Sequence, residues 1–388
     1  MFVIKGKYNI AKVFLPDDSH LDVETRNQIL SFLNHPVFEG KPICIMPDCH
    51  FGKGAVIGFT FEFNNYIIPN VVGVDIGCGM LSTNLGRLDD KFIVQNFDKF
   101  IRANVPHGFG VHNRTFRQSI DLVEDRIPSL YEDIKEFNSL GDTKLLHYLN
   151  SIGTLGGGNH FIELGLDENN YAWLTVHSGS RNFGLQVCNA FQNKATASCA
   201  TYFIEKNDLN FLHSESKDFY DYLRFMEVAQ QYATVNRKWI TEIILGFFNG
   251  LDIIDTVETI HNYVSSKDNI IRKGAVSARK GEKLIIPFNQ RDGLIICSGK
   301  GNHDWNYSAP HGAGRILSRT KAKEVLDLSA VEKEMSDANI YTTSVNKDTL
   351  DESRGAYKDK DMIIDMIKDT VDILSFVKPI YNFKAGGE

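Results

Sequence analysis

No apolar run in this chain approaches the roughly 20 residues needed to cross a bilayer, so a membrane partner is not expected. The opening residues Met1–Lys7 lack the apolar stretch and small-residue cleavage site of a secretory leader. Cysteine is sparse. The 6 at positions 44, 49, 78, 188, 199 and 297 form no Cys-x-x-Cys pair and are too few for a disulfide scaffold. Together these absences point to a reducing, cytoplasmic setting. No Gly-Lys pair is followed by Ser or Thr, which removes the P-loop as a nucleotide site. No Pro/Ser/Gly linker, repeat or low-complexity segment divides the chain, so one domain spanning 1–388 is expected.

What is present is an ordinary globular composition, 43% hydrophobic and 23% charged, enough for a substantial core. Short apolar runs at Pro42–Met46, Ala55–Phe63 and Tyr66–Val74 read as buried strands. A helix is expected from Leu88-Asp89-Asp90, with aspartate as cap, to about Ala103. Residues 118–150 also read as helical, and Trp173–Val176 as a strand ending at His177. Apolar spacing through Leu223, Met226, Ala229, Ala233, Ile240 and Ile244 predicts a long helix from Asp218 to about Phe248, stopped by Asn249-Gly250. Lys283–Phe288 and Leu294–Cys297 read as a strand pair, and about Lys360–Phe376 as a last helix. The mixture indicates an α+β fold.

The chemistry concentrates in glycine-rich turns. Val74-Asp75-Ile76-Gly77-Cys78-Gly79 puts a hard oxygen donor and a soft sulfur donor at one bend, a pattern of metal sites and also of plain turns. Of the 12 histidines, His20, His35, His147 and His213 sit in unremarkable contexts, and His50, His107, His112 and His303 read as structural. Four others stand apart. His160 follows three glycines and Asn159, His177 ends a strand, His261 precedes Asn262-Tyr263, and His311 lies in Pro-His-Gly-Ala-Gly-Arg. Asp75, Cys78 and three imidazoles suit Zn²⁺ or Mn²⁺, and a bridging thiolate could hold two ions. The fourth histidine is then free for nucleophilic work. His311, followed by small residues and Arg315, suits attack on phosphorus.

Charge is unevenly distributed. The net −7 argues against nonspecific nucleic-acid binding, yet Arg272–Lys323 carries 11 Lys/Arg against 3 Asp/Glu. That local +8 suggests one phosphate-facing surface on an acidic body.

The blocks Met46–His50, Val72–Met80, Gly156–Glu163, His177–Arg181, His261–Tyr263, Arg272–Ala275, His311–Arg315 and Gly355–Lys358, with Lys384, occur in an order and form that resemble the RtcB family of RNA ligases. The resemblance spans nearly the whole chain. It implies a single-domain fold of stacked β-sheets flanked by helices. It also implies a GTP- and Mn²⁺-dependent enzyme joining RNA with a 2′,3′-cyclic phosphate or 3′-phosphate end to a 5′-hydroxyl end, in RNA repair or tRNA splicing. Under it, Cys78 bridges two Mn²⁺ ions, Asp75 and His160 complete one ligand set, and His177 and His261 complete the other. His311 carries GMP. Asn159, His160, Phe161, Ile162, Glu163, His261, Asn262, His311, Gly312, Ala313, Gly314, Tyr357 and Lys384 form the guanylate site. Arg181, Arg272, Lys273 and Arg315, with Arg319, face RNA phosphates. The chain departs from the pattern at Pro287–Gly293, where some members carry a glycine-serine loop. The alternative reading is a metal-dependent phosphoesterase that opens cyclic phosphates without sealing ends.

Overall fold

The computed structural model describes residues 1–139, 145–202, 204–205, 207–248 and 251–385. Two large sheets organise it. One has six strands in the order Phe2–Lys5, Ile10–Val13, Ile43–His50, Ile57–Glu62, Ile270–Lys273, Asn262–Ser265. Only the Ile10–Val13/Ile43–His50 pair in it is parallel. The other has seven antiparallel strands in the order Asp255–Ile260, Gly79–Asn84, Ala172–Ser178, Phe161–Leu166, Val371–Lys384, Gly293–Gly299, Lys283–Asn289. Its two edge strands approach one another, with Lys283 Nζ 2.7 Å from Asp255 Oδ2, so this sheet curls nearly into a barrel. The helices flank the stacked sheets, which is the α+β arrangement expected.

Period-2 alternation sorts the side chains of the curled sheet. Ile162, Leu164, Leu174, Val176, Tyr381 and Phe383 pack outward on Phe97 and Ile101 of helix Val94–Asn104 and on Ile240 and Ile244 of helix Lys217–Leu245. The alternate positions Met80, Phe161, Trp173, Val257, Ile285, Leu294 and Ile296 form a second apolar cluster on the inner face. Toward one rim the inner positions become polar: Glu163, His177, Asn382 and Lys384. Register makes this rim the meeting point of distant segments. Met80 and Phe161 both pair with His177, Phe161 also pairs with Lys384, and Gly79 pairs with Ile260.

Four local expectations are corrected. The segment read as a last helix is helical only over Lys360–Met366, followed by a 3-10 turn at Ile367–Asp369. Val371–Lys384 is a 14-residue strand inside the curled sheet, because neighbours on both sides satisfy its backbone and Pro379 would break a helix. Tyr66–Val74 is a strand only over Tyr66–Ile67, since Pro69 opens the short helix Pro69–Val72. The helix expected from Leu88 starts at Val94, and Asp89 instead accepts from Lys91 N in a turn. Residues 118–150 are not one helix. Phe116–Glu124 and Pro128–Ser139 are separate, the second opened by its proline, and Leu145–Ser151 is helical after residues 140–144, which lie outside the described residues. The long helix runs Lys217–Leu245, capped by Ser216, and the Asn249-Gly250 stop lies outside the described residues.

Candidate active site at the rim of the curled sheet

Four of the five donors proposed from sequence sit at strand ends on this one rim, and Asp75 lies in the turn just before one of these strands. Cys78 precedes Gly79–Asn84, His160 precedes Phe161–Leu166, His177 is the penultimate residue of Ala172–Ser178, and His261 follows Asp255–Ile260. Cys78 Sγ lies 3.4 Å from His160 Nε2 and 3.3 Å from His177 Nε2. His160 Nε2 is 3.0 Å from Asp75 Oδ2, and the Nε2 atoms of His177 and His261 are 3.4 Å apart. Two sets able to hold a metal ion result, Asp75–Cys78–His160 and Cys78–His177–His261, sharing the thiol. Burial and the adjacent Asp75 carboxylate push the Cys78 thiol well up. Burial, and then the positive charge that neighbouring imidazoles would carry, holds His177 and His261 well below the usual histidine range. Burial opposes charge on Asp75 too, but the contact with His160 outweighs it and holds the carboxyl low. Neutral imidazoles packed nitrogen to sulfur around a cysteine whose thiolate burial disfavours fit a cation, which would favour the thiolate and use the lone pairs.

The scaffold beneath this cluster was not visible in the sequence pattern. Asn236 and Arg237, fully buried on the long helix, tie three site segments together. Asn236 Oδ1 accepts from Gly153 N (2.7 Å) and Thr154 N (3.1 Å), while its Nδ2 donates to Thr154 O, Ser178 Oγ and Gly179 O. Arg237 Nη1 donates to Gly77 O (2.7 Å) and Ser178 O (2.9 Å), with its charge met by Glu258. Two polar residues on a face otherwise aligned with Ala233 and Ile240 were the available signal, because buried polar groups require partners. Asn262 acts similarly: its Nδ2 donates to Asp75 O and its Oδ1 accepts from Gly274 N.

Beside the cluster lies a cavity of about 220 Å³. Of the residues proposed for a nucleotide, Asn159, Phe161, Glu163, His311, Gly312, Ala313, Gly314, Tyr357 and Lys384 line it. Ile162 does not; strand alternation turns it to the opposite, helix-covered face. His160, His261 and Asn262 stand outside the lining, on the donor side. His311 Nδ1 lies 2.7 Å from Asp48 Oδ2, which also accepts from the His311 backbone N at 3.2 Å. Its ring centroid is 4.8 Å from that of His261. Asp48 is 0% exposed. With Nδ1 donating to this carboxylate, Nε2 of His311 retains its lone pair. Asp48 belonged to a quoted motif without a role; a carboxylate in the buried strand Ile43–His50 was the signal.

On the far wall, Glu352 receives Lys384 Nζ at 2.6 Å, the Tyr357 hydroxyl at 2.5 Å, Arg319 Nη1 at 2.9 Å and Arg315. Burial opposes its charge, but Lys384 and the two arginines hold the carboxyl low. Glu163 differs. Burial raises it to about 8, Asn382 donates to Oε2, and Oε1 has no partner among the described residues. Gln290, in the segment that departs from the family pattern, also lines the cavity, and both its amide atoms lack partners among the described residues. His50, Ile57 and Asn382 also line the cavity without having been proposed from sequence.

The basic segment does not form a basic surface. Arg272 is 1% exposed, donating to Ser308 Oγ, Tyr263 Oη and Asp268. Lys273 is buried, its ammonium packed against Gly73. Arg279 pairs with Asp268, Lys283 with Asp255, Lys300 with Asp372, and Arg315 and Arg319 with Asp351 and Glu352. Acids from outside the segment neutralise what looked like a local excess. Arg181 alone of the proposed phosphate residues lines a second cavity, with Asp75 and His160.

A family model described as tRNA-splicing ligase RtcB matches residues 28–385. The chain belongs to the RtcB family of RNA ligases. Among RtcB relatives, the RNA-splicing ligase RtcB of Escherichia coli K12 is 32% identical, over 93% of this chain and 94% of that one. The tRNA-splicing ligases RtcB of Nanoarchaeum equitans (29% identical, 84% of this chain and 83% of that one) and Aeropyrum pernix (28%, 82% of each) are also similar. No helix among the described residues is long and apolar enough to cross a membrane.

Proposed function

We propose that this RtcB member is a GTP- and Mn²⁺-dependent RNA ligase that joins a 2′,3′-cyclic phosphate or 3′-phosphate end to a 5′-hydroxyl end, in RNA repair or tRNA splicing. The observation that carries the reading is His311, an imidazole oriented by buried Asp48 in a cavity shared with Glu163, His177 and Lys384. Nε2 of His311 attacks the α-phosphorus of GTP; a P–N bond forms, the bond to pyrophosphate breaks, and pyrophosphate leaves. The Nδ1 proton stays between His311 and Asp48, so positive charge developing on the ring meets the carboxylate. A cyclic end is first hydrolysed to a 3′-phosphate. That phosphate displaces His311 and takes the GMP, and the 5′-hydroxyl then displaces GMP to form the phosphodiester.

Asp75, Cys78 and His160 would hold one Mn²⁺, and Cys78, His177 and His261 a second. Bound there, the ions supply Lewis-acid stabilisation of phosphate charge. Glu163, through its unpartnered Oε1, accepts from the guanine edge, and Phe161 and Tyr357 offer faces to the base. Burying an unpaired acceptor is costly, and a ligand donor relieves that cost.

The test is incubation with Mn²⁺ and GTP labelled at the α-phosphate, followed by acid. The expected result is an acid-labile label that is absent from His311→Ala. Unimpaired sealing by His311→Ala would overturn the mechanism. Opening of cyclic ends by the wild type, with neither label nor sealing, would assign a phosphoesterase instead.

A further inference from the structure

A ligase must bring a second substrate to the same donors that face its nucleotide, and the rim offers a second entrance. Asp75 and His160 line a separate cavity of about 460 Å³, walled by Arg181, Gly157 and Phe109. His177 faces the first cavity, so the donor cluster lies between the two. Phe109 is 78% exposed, the most of any large hydrophobic side chain among the described residues. It sits between Gly108 and Gly110, in a loop that is nonetheless braced. Gly108 N donates to Gly156 O at 2.9 Å, Arg181 Nη2 donates to Gly108 O at 2.8 Å, and His112 Nε2 lies 2.9 Å from Gly153 O. The ring is therefore held in water at the cavity mouth by the same loop that delivers His160.

Arg181 adds the complementary charge. Its Nε donates to Thr154 Oγ1, while Nη1 has no partner among the described residues. Its backbone φ of 55° is a left-handed conformation that side-chain-bearing residues rarely adopt, and here it heads helix Arg181–Thr201. An exposed aromatic face beside a part-satisfied guanidinium matches the two surfaces of a single-stranded nucleotide, its base and its phosphate.

We propose that Phe109 is a stacking platform for the unpaired nucleobase next to the joined phosphate, with Arg181 holding that phosphate. This rests on the RNA-ligase reading above. Two sources supply such a base, the 3′-phosphate end and the 5′-hydroxyl end.

The experiment measures sealing of short single-stranded RNAs by wild type, Phe109→Ala and Phe109→Trp. Each RNA end is offered either intact or with an abasic terminal nucleotide. Phe109→Ala is expected to raise KM for RNA roughly 10-fold, leaving GTP labelling of His311 unchanged, and Phe109→Trp to restore it. The wild type should lose a similar factor when one end is abasic, and Phe109→Ala should lose no more. The sensitive end identifies the stacked base. Wild-type KM in Phe109→Ala, or an abasic penalty equal in both proteins at both ends, would overturn the proposal. Failure of the underlying reading would show separately, as absence of His311 labelling in the wild type.

Discussion

The donor corner and the Glu352 corner share one rim but solve opposite electrostatic problems. Around Cys78, burial disfavours every charge: the thiol is pushed up, His177 and His261 are pushed down, and the Nδ1 atoms of both histidines lack partners among the described residues. Around Glu352 a single carboxylate, 3% exposed, already meets two arginines, a lysine and a tyrosine. One corner leaves donor atoms without partners among the described residues, whereas the other is already paired in the free protein. Affinity for an ion should therefore depend on single donors at the first, and stability on single partners at the second.

The largest expected effect is at the donor corner. Cys78→Ala removes the sulfur common to both sets, so metal content measured after gel filtration should fall, and retention of two ions would refute the shared ligand. Asp48→Asn should slow His311 labelling by roughly 10³-fold, because the amide can hold the wrong imidazole tautomer; an unchanged rate in quenched-flow assays would break the orienting role. At the second corner, Glu352→Gln strands Lys384 and Arg315 and should cost about 3 kcal/mol in urea unfolding. A cost below 1 kcal/mol would erase the contrast between the corners. The smallest effect concerns Glu163, between them. Its carboxyl is raised to about 8 in the fold from an ordinary value near 4.5. The raised value favours the protonated fold at low pH, and that contribution is lost as pH rises from about 5 through 8. Glu163→Gln lacks this loss, so its stability relative to wild type should rise by about 1–3 kcal/mol over that range. A flat difference in melting temperature would show that Glu163 is not burdened.

The donors were legible because each sits in a short motif where glycine or a strand end leaves a chemical residue exposed to its neighbours. Cys78, His160, His177 and His261 needed only to be assumed close. Their partners were less legible, because Asn236 and Arg237 act across 57–160 positions of sequence, and their polarity on an apolar helix face does not say which segments they hold. The basic segment misled for the same reason. Its counterions, Asp255, Asp268, Asp351 and Asp372, come from elsewhere in the chain, and a count within a window cannot see them. The Val371–Lys384 strand was misread because Val371, Ile373 and Leu374 continue the apolar pattern of the preceding short helix; only pairing with distant strands settles the choice.

That strand has a consequence for the order in which the protein becomes competent during synthesis. It lies between Phe161–Leu166 and Gly293–Gly299, and it carries Lys384 to the rim. The ribosome releases Cys78, His160, His177 and His261 long before it. Until residue 384 emerges, those two neighbouring strands have no ladder between them and the Glu352 corner has no lysine. A nascent chain can thus gather its sulfur and imidazole ligands early, while the cavity around His311 assembles only with this late strand.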